Sequence, residues 1–221
     1  MLVLAIDTST PAVTAGVVQF DRDSDDAAPR ELATRVTVDA RAHAEVLTPQ
    51  ILDCLAQSGH PPADLDAVVV GVGPGPFTGL RVGMATAAAF GDALGIPVHG
   101  VCSLDAIASD VATGTGDREL LVVTDARRRE VYWARYSGAR RVAGPEVVKP
   151  SELDAAPSEV IAGSASHVDM FDLPVEPVET PSPRGLVTVA AQALRVGVEP
   201  EPLVPLYLRR PDAVELADRR K

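Results

Sequence analysis

Between Gly71 and Gly95 the chain reads GVGPGPFTGLRVGMATAAAFGDALG, and no other stretch limits the possible folds so strongly. The apolar run Ala67 to Val70 precedes it and an alanine-rich segment of helical composition follows, which predicts strand, tight loop and helix. That order invites a phosphate loop, but the spacing denies one. Counted from Gly71, the third glycine of Gly-x-Gly-x-x-Gly falls on Pro76; counted from Gly73 it falls on Thr78. A Walker loop closes on Gly-Lys-Ser/Thr, where this chain has Gly79-Leu80-Arg81. Pro74 and Pro76 also have no N–H to offer a phosphate. The residues describe a stiff loop that aims a helix, with Pro76 at the first helical position and Gly75 or Thr78 as the cap.

Within that helix Gly79, Gly83, Ala87 and Gly91 recur every four residues and line one stripe. Glycine inside a helix costs about 0.5–1 kcal/mol against alanine, so the stripe implies that another backbone comes close. The protein's own sheet and the helix of a partner both meet that requirement. A membrane helix does not, because Arg81 and Asp92 break the apolar run short of the roughly 18 residues a span needs.

Around this stretch two similar halves are legible. Leu2 to Ile6 reads as a central strand, Asp7 to Pro11 as a turn, Val13 to Phe20 as a strand returning antiparallel, and Glu31 to Val38 as an edge strand. Apolar residues at Val46, Leu47, Ile51, Leu52 and Leu55 predict an amphipathic helix that Gly59 stops. Pro49 permits a start at Thr48 or a helix from His43 that bends; the spacing favours the longer one. Pro97 to Val101 is a further strand. In the second half Leu120 to Asp125 is again an apolar strand ending in aspartate, followed by a turn and a returning strand, Glu130 to Tyr136. Ser103 to Val111 reads as a serine-capped helix, Glu159 to Ala162 as a short strand, and Ser182-Pro183 opens a helix through Val196 that Gly197 ends. Leu173 to Pro183 and Glu199 to Pro205 are loops. The expected division is 1–104 and 105–221, and strand, aspartate, turn, strand, twice over, is similar to the duplicated lobes of the α/β actin-like ATPase fold.

The formal net charge of −11 argues against a stand-alone nucleic-acid binder, which needs clustered Lys and Arg. Cys54 and Cys102 have no CxxC spacing, and neither a signal peptide nor a spanning segment is legible, so a reduced, cytoplasmic protein is expected. Phosphate loops of the actin-like fold carry a glycine after the aspartate. Asp7-Thr8-Ser9 and Asp125-Ala126-Arg127 do not, and Gly163-Ser164-Ala165 is a weak counterpart of the adenosine-side glycines. Asp7 and Asp125 read better as turn-capping residues. His43, His60, His99 and His167 include no pair one helical turn apart, and Glu45 near His43 does not complete a metal site. Ser103 and Ser166 lack a nucleophile elbow. Arg127-Arg128-Arg129, in a predicted turn, and Arg140-Arg141 are either solvated or a contact for RNA or an acidic partner face. The polar end, Arg209 to Lys221, is expected to fray, with Tyr207 and Leu208 either pinned to a lobe or presented to another subunit.

Two segments carry a resemblance, Ile6-Asp7-Thr8-Ser9 and Gly73-Pro74-Gly75-Pro76-Phe77-Thr78-Gly79-Leu80-Arg81. Together they resemble the TsaB (YeaZ) family of tRNA threonylcarbamoyladenosine biosynthesis proteins, in which serine usually stands at the place of Pro76. The resemblance is dense from Leu2 to about Leu104, thin through the middle, and returns at Pro205-Leu206-Tyr207-Leu208-Arg209. It implies a non-catalytic subunit that pairs with a paralogous catalytic subunit (TsaD-like) and a small ATPase (TsaE-like). The assembly transfers a threonylcarbamoyl group to the adenosine 3′ of the anticodon, with tRNA reached through the complex. It implies no cofactor bound tightly by this chain, with ATP or ADP and a metal in the partners; a homodimer of the chain alone is a separate expectation, because an exposed apolar helix pair seldom stays unpaired. The partner interface it implies comprises His43, Val46, Leu47, Ile51 and Leu55 with Gly79, Gly83, Ala87 and Gly91. Gly73, Gly75, Phe77, Thr78, Gly79 and Arg81 make the family loop. The competing expectation is a divergent actin-like ATPase or small-molecule kinase; a metallopeptidase lacks its histidine pair.

Overall fold

The structure, a computed structural model, describes residues 1–24, 27–39, 42–115 and 118–209. The tail from 210 onward, and part of the acidic loop before Arg30, lie outside the described residues.

Strand β1 (Leu2–Asp7) is buried along its whole length, and its side chains alternate between two cores as the pleat requires. Leu2, Leu4 and Ile6 point into one cluster, Val3 and Ala5 into another. β2 (Ala12–Gln19) runs antiparallel to it and β3 (Arg30–Val38) forms the edge. On the other side β4 (Ala67–Gly71) and β5 (Val98–Val101) continue in parallel, giving the order β3-β2-β1-β4-β5. Helices α1 (His43–Ser58) and α2 (Phe77–Leu94) cover one face. From them Leu47, Ile51, Cys54, Leu55, Met84 and Ala87 enter the cluster with Leu4, Ile6, Val13, Val68 and Val70. The longer helix is the one that forms: α1 runs through Pro49, which lies on its solvent side, where water can replace the helical bond that proline omits. Pro76 is not the first helical residue. It stays extended, at φ −60° and ψ 136°, and its carbonyl accepts from Leu80 N at 3.1 Å, so it is itself the cap position.

The second sheet repeats this plan. β6 (Glu119–Asp125) pairs antiparallel with β7 (Val131–Ser137), β7 with β8 (Arg140–Val148), and β9 (Val160–Gly163) lies parallel beside β6. The order β8-β7-β6-β9 matches β3-β2-β1-β4 of the first sheet, which is the duplication of the actin-like fold. The sequence reading contains no β8, because Arg140-Arg141 and Gly144-Pro145 look like charge and turn. An edge strand tolerates both. The single-turn helix α4 (Ala165–Val168) was likewise too short to leave a period.

Helix α3 (Ser103–Thr115) connects the sheets, with Leu104, Ile107, Ala108 and Val111 facing the second one. Helix α5 (Pro183–Val196) starts where expected: Ser182 Oγ accepts from Gly185 N at 2.9 Å, and Gly197 ends it in the left-handed region. From the second half of the chain it crosses back to the first sheet. Leu186, Val187, Ala190 and Leu194 pack there on Val3, Ala5, Val18 and Val69. The residues after it, 198 to 208, form an extended strap with no regular structure. Leu206, partly buried, packs against the cores of both lobes, and its N–H donates to Val72 O at 2.8 Å.

Candidate functional site

The two segments that carry the family resemblance touch each other. The turn after β1 enters under the start of α2, where Thr8 Oγ1 donates to Gly79 O at 2.8 Å and accepts from Gly83 N at 3.1 Å. A Cβ on Gly83 would lie 2.3 Å from that hydroxyl, and one on Gly75 2.2 Å from Ser9 O. The glycines of the loop are therefore required by close approach of this chain's own backbone. From the other side Ser103 N donates to Gly73 O at 2.8 Å.

Asp7 lies at the centre of this contact and is fully buried. Its Oδ1 accepts from Ser9 N at 2.8 Å and Ser9 Oγ at 2.7 Å, while Oδ2 accepts from Ser103 Oγ at 2.5 Å. Ser103 thus bonds a carboxylate and does not cap its own helix. A Cβ on Gly71 would stand 1.8 Å from Oδ2, so the carboxylate is sealed by protein on the side where β4 ends. Burial raises the Asp7 pKa above the ordinary carboxylate value, against the lowering effect of the Ser103 and Ser9 hydrogen bonds. Asp125 holds the corresponding place at the end of β6, and its Oδ1 accepts from Arg127 N at 2.7 Å, the same bond two residues on. Both aspartates close turns, but Asp125 is partly open to solvent.

The raised Asp7 pKa has a testable sign. The folded chain holds this proton more tightly than the unfolded one, so stability falls as pH rises from the ordinary carboxylate value, about 3.9, through the raised one. Asp7→Asn keeps the acceptor toward Ser9 and offers an amide to Ser103. Urea midpoints measured from pH 4 to pH 8 are expected to slope less for the variant. Burial also raises the pKa of Asp110, so the slope shrinks without vanishing. Equal slopes would place the pH dependence elsewhere.

Within this chain the residues of the implied interface lie as follows. Leu47, Ile51, Leu55, Gly79, Gly83, Ala87 and Gly91 are buried within this chain, and a Cβ on Gly91 would meet Val98 at 2.2 Å. The stripe faces the protein's own sheet and the Thr8 turn, because only glycine lets α2 come this near. His43 is buried, with Nε2–H donating to Thr10 O at 3.0 Å. Val46 alone of that set is half-exposed. The outward faces carry other residues: Glu45, Thr48 and Leu52 on α1, and Arg81, Ala85, Ala88, Ala89 and Asp92 on α2. Four exposed alanines, counting Ala93, where charge would be ordinary are the sequence signal that the glycine stripe obscured.

Phe77 and Arg81 of the family loop point outward to the strap. The Phe77 ring stacks on Tyr207 with centroids 5.0 Å apart, the Arg81 guanidinium lies 3.8 Å from the Phe77 centroid, and Arg81 Nε donates to the Tyr207 hydroxyl at 3.0 Å. Tyr207 is thus pinned to α2. Thr78 lines a hollow of about 140 Å³ with Thr10, His43, Pro76 and Arg127. Arg127 to Arg129 and Arg140-Arg141 lie at opposite ends of β7, so they cannot form one patch. Arg141 is engaged with Asp105 at 2.9 Å, which also accepts from the Tyr136 hydroxyl at 2.8 Å. Asp105 and Arg141 border a second cavity, about 500 Å³, under the strap. Cys102 lines it, but burial pushes its thiol up to about 12, so it stays protonated and unreactive. Ser166 Oγ is 2.9 Å from His167 Nδ1, yet His167 Nε2 is 3.8 Å from Asp125, too far for a hydrogen-bonded relay. No three His, Cys, Asp or Glu residues among the described ones are grouped to hold a metal, and no described helix is long and apolar enough to cross a membrane.

A family model described as TsaD, tRNA N6-adenosine threonylcarbamoyltransferase, matches residues 36–199. An uncharacterized protein of Mycobacterium tuberculosis is 58% identical over 215 residues, covering 97% of this chain and 95% of its own length. The tRNA threonylcarbamoyladenosine biosynthesis protein TsaB of Escherichia coli is 35% identical over 136 residues, 62% of this chain and 55% of that protein. A crystal structure from Pseudomonas aeruginosa, described as similar to peptidase YEAZ, superposes with a TM-score of 0.77 at 30% identity, over 94% of this chain and 99% of the other. With the TsaD model spanning most of its length, TsaB sequences aligned to much of it and the YeaZ architecture throughout, this chain belongs to the TsaB (YeaZ) family.

Proposed function

We propose that the chain is the non-catalytic, activating subunit of an assembly that makes threonylcarbamoyladenosine in tRNA. Within it the threonylcarbamoyl group passes from threonylcarbamoyl-AMP to the adenosine 3′ of the anticodon, in tRNAs reading codons that begin with adenine. The sealed Asp7 turn carries this reading. In an actin-like fold that turn would face nucleotide phosphates, whereas here both carboxylate oxygens are occupied by Ser9 and Ser103 and the carboxylate is inaccessible to solvent. The same observation disfavours a divergent kinase or ATPase, whose aspartate must reach a metal or a water.

On this reading the chemistry belongs to a TsaD-like catalytic partner, ATP or ADP and a metal are held by the partners, and a TsaE-like ATPase completes the assembly. The docking face is the outer side of α1 and α2, where Leu52 is 53% exposed beside the alanines of α2. The same face closes a homodimer when no partner is present. The assembly works in the cytoplasm, where its tRNA is.

Threonylcarbamoyl transfer to unmodified tRNA is the test, with the catalytic partner, the small ATPase and a source of the intermediate present. Transfer is expected only when this chain is added, and none from this chain alone. Full transfer without it would sink the proposal.

A further inference from the structure

The turn that joins β6 to β7 is built in an expensive way. Arg127, Arg128 and Arg129 occupy the left-handed region in succession, with φ of 62°, 52° and 63°. Side chains with a Cβ are disfavoured there, and glycine or asparagine would supply the same turn without the strain. Three consecutive arginines therefore point to a use for their side chains. All three are exposed. The root of the turn is clamped: Ala126 N donates to Glu130 O at 3.0 Å, Arg209 Nη1 donates to Ala126 O at 2.8 Å, and Arg209 Nη2 lies 3.1 Å from Glu130 Oε2. Among the described residues the turn and its clamp thus gather four guanidiniums (Arg127, Arg128, Arg129, Arg209), of which Arg127 and Arg209 are ion-paired with Asp125 and Glu130, in a chain whose net charge is −11.

The surroundings favour anions as well. Arg127 lines the hollow at the beginnings of α1 and α2, and among the described residues no carboxylate lines it. Both helices start without a side-chain cap; Glu45 offsets the dipole of α1, whereas α2 has no acidic residue in its first turn, so the positive end of its backbone dipole adds to the guanidinium. Arginine forks suit phosphate oxygens better than lysine does, and a row of them suits a chain of phosphates spaced along a backbone.

We propose that this arginine turn makes direct contact with the phosphate backbone of the tRNA, so that the chain helps to hold the substrate as well as supporting its partner. The proposal rests on the function given above. It assigns the RNA contact to a local cationic patch on an otherwise acidic protein. The strap, through Arg209 at the turn and Tyr207 at Phe77 and Arg81, fixes where that patch stands relative to α2.

The test uses the assembled complex of this chain with its catalytic partner, titrated with an unmodified tRNA transcript at several salt concentrations. The variant replaces Arg127, Arg128 and Arg129 together by glycine, which accepts the left-handed backbone and so preserves the fold. A second variant, with lysine at all three positions, keeps the charge. The glycine variant is expected to assemble as the wild type does, to bind tRNA roughly tenfold or more weakly, and to show a log–log salt dependence shallower by about 2–3, as the loss of three phosphate contacts requires. The lysine variant is expected to fall between. Unchanged tRNA affinity of the glycine variant, or loss of assembly with the protein partner in place of tRNA affinity, overturns the proposal. A wild-type complex that binds tRNA through this turn yet transfers no threonylcarbamoyl group leaves the contact standing and refutes the assigned function.

Discussion

Gly83→Leu is expected to abolish folding, not to disconnect an intact protein from its partner. The position looks like an interface residue in the sequence, but its Cβ would stand 2.3 Å from Thr8 Oγ1, and that hydroxyl makes two buried hydrogen bonds, to Gly79 O and from Gly83 N. A leucine there must push Thr8 aside. Overpacking costs about 1–3 kcal/mol, and each buried group left without its hydrogen bond costs about 1–3 kcal/mol more. The sum is comparable with the whole stability of an ordinary domain, about 5–15 kcal/mol. Soluble yield and the urea midpoint measure it. Ala87→Leu, with the same fully buried surroundings but no hydroxyl to displace, is expected to cost less, about 1–3 kcal/mol. A Gly83→Leu protein with the wild-type midpoint and impaired partner binding would mean that the stripe faces outward after all.

Ala88→Arg is expected to do what the stripe variants cannot. Ala88 is exposed on the outer face of α2, and a solvated arginine at such a place should leave stability within about 0.5 kcal/mol. Docked against an apolar partner helix, the same guanidinium becomes a buried charge without a partner, a loss of about 3 kcal/mol or more. That corresponds to at least about 100-fold in affinity. Analytical ultracentrifugation of the chain alone and with its catalytic partner reads both the homodimer and the complex. If both associations persist at wild-type strength, the partner docks elsewhere, and threonylcarbamoyl transfer should then be equally unaffected.

Most of the fold was legible because most of it is periodic or punctuated. The continuous apolar run Leu2 to Ile6, the apolar spacing of α1, the glycine at its end and the Ser182-Pro183 start of α5 each obey a local rule, and each element formed within a few residues of its expected bounds. β8 was missed because an edge strand need not be apolar. The site was harder, since a four-residue repeat says that a helix surface is small without saying which neighbour needs it small. Thr8 decided that question. It lies 71 residues from Gly79 in sequence, and no local pattern connects the two. Likewise Ser103 reads as a cap until Asp7 is found 2.5 Å away. The arginines were visible as a charge run in a turn, but not as left-handed, because φ has no signature in a row of identical residues.

Helix α5 sets an order of events during synthesis. The back of the first sheet, with Val3, Ala5, Val18, Phe20 and Val69, is covered chiefly by residues 186 to 194. Translation passes from Leu104 to Leu194 in about 5–20 s at roughly 5–20 residues per second. For that interval the earliest strands to leave the ribosome carry an apolar face that nothing yet made can cover. A nascent chain stalled before α5 should therefore be a chaperone client, and one stalled after the strap should not.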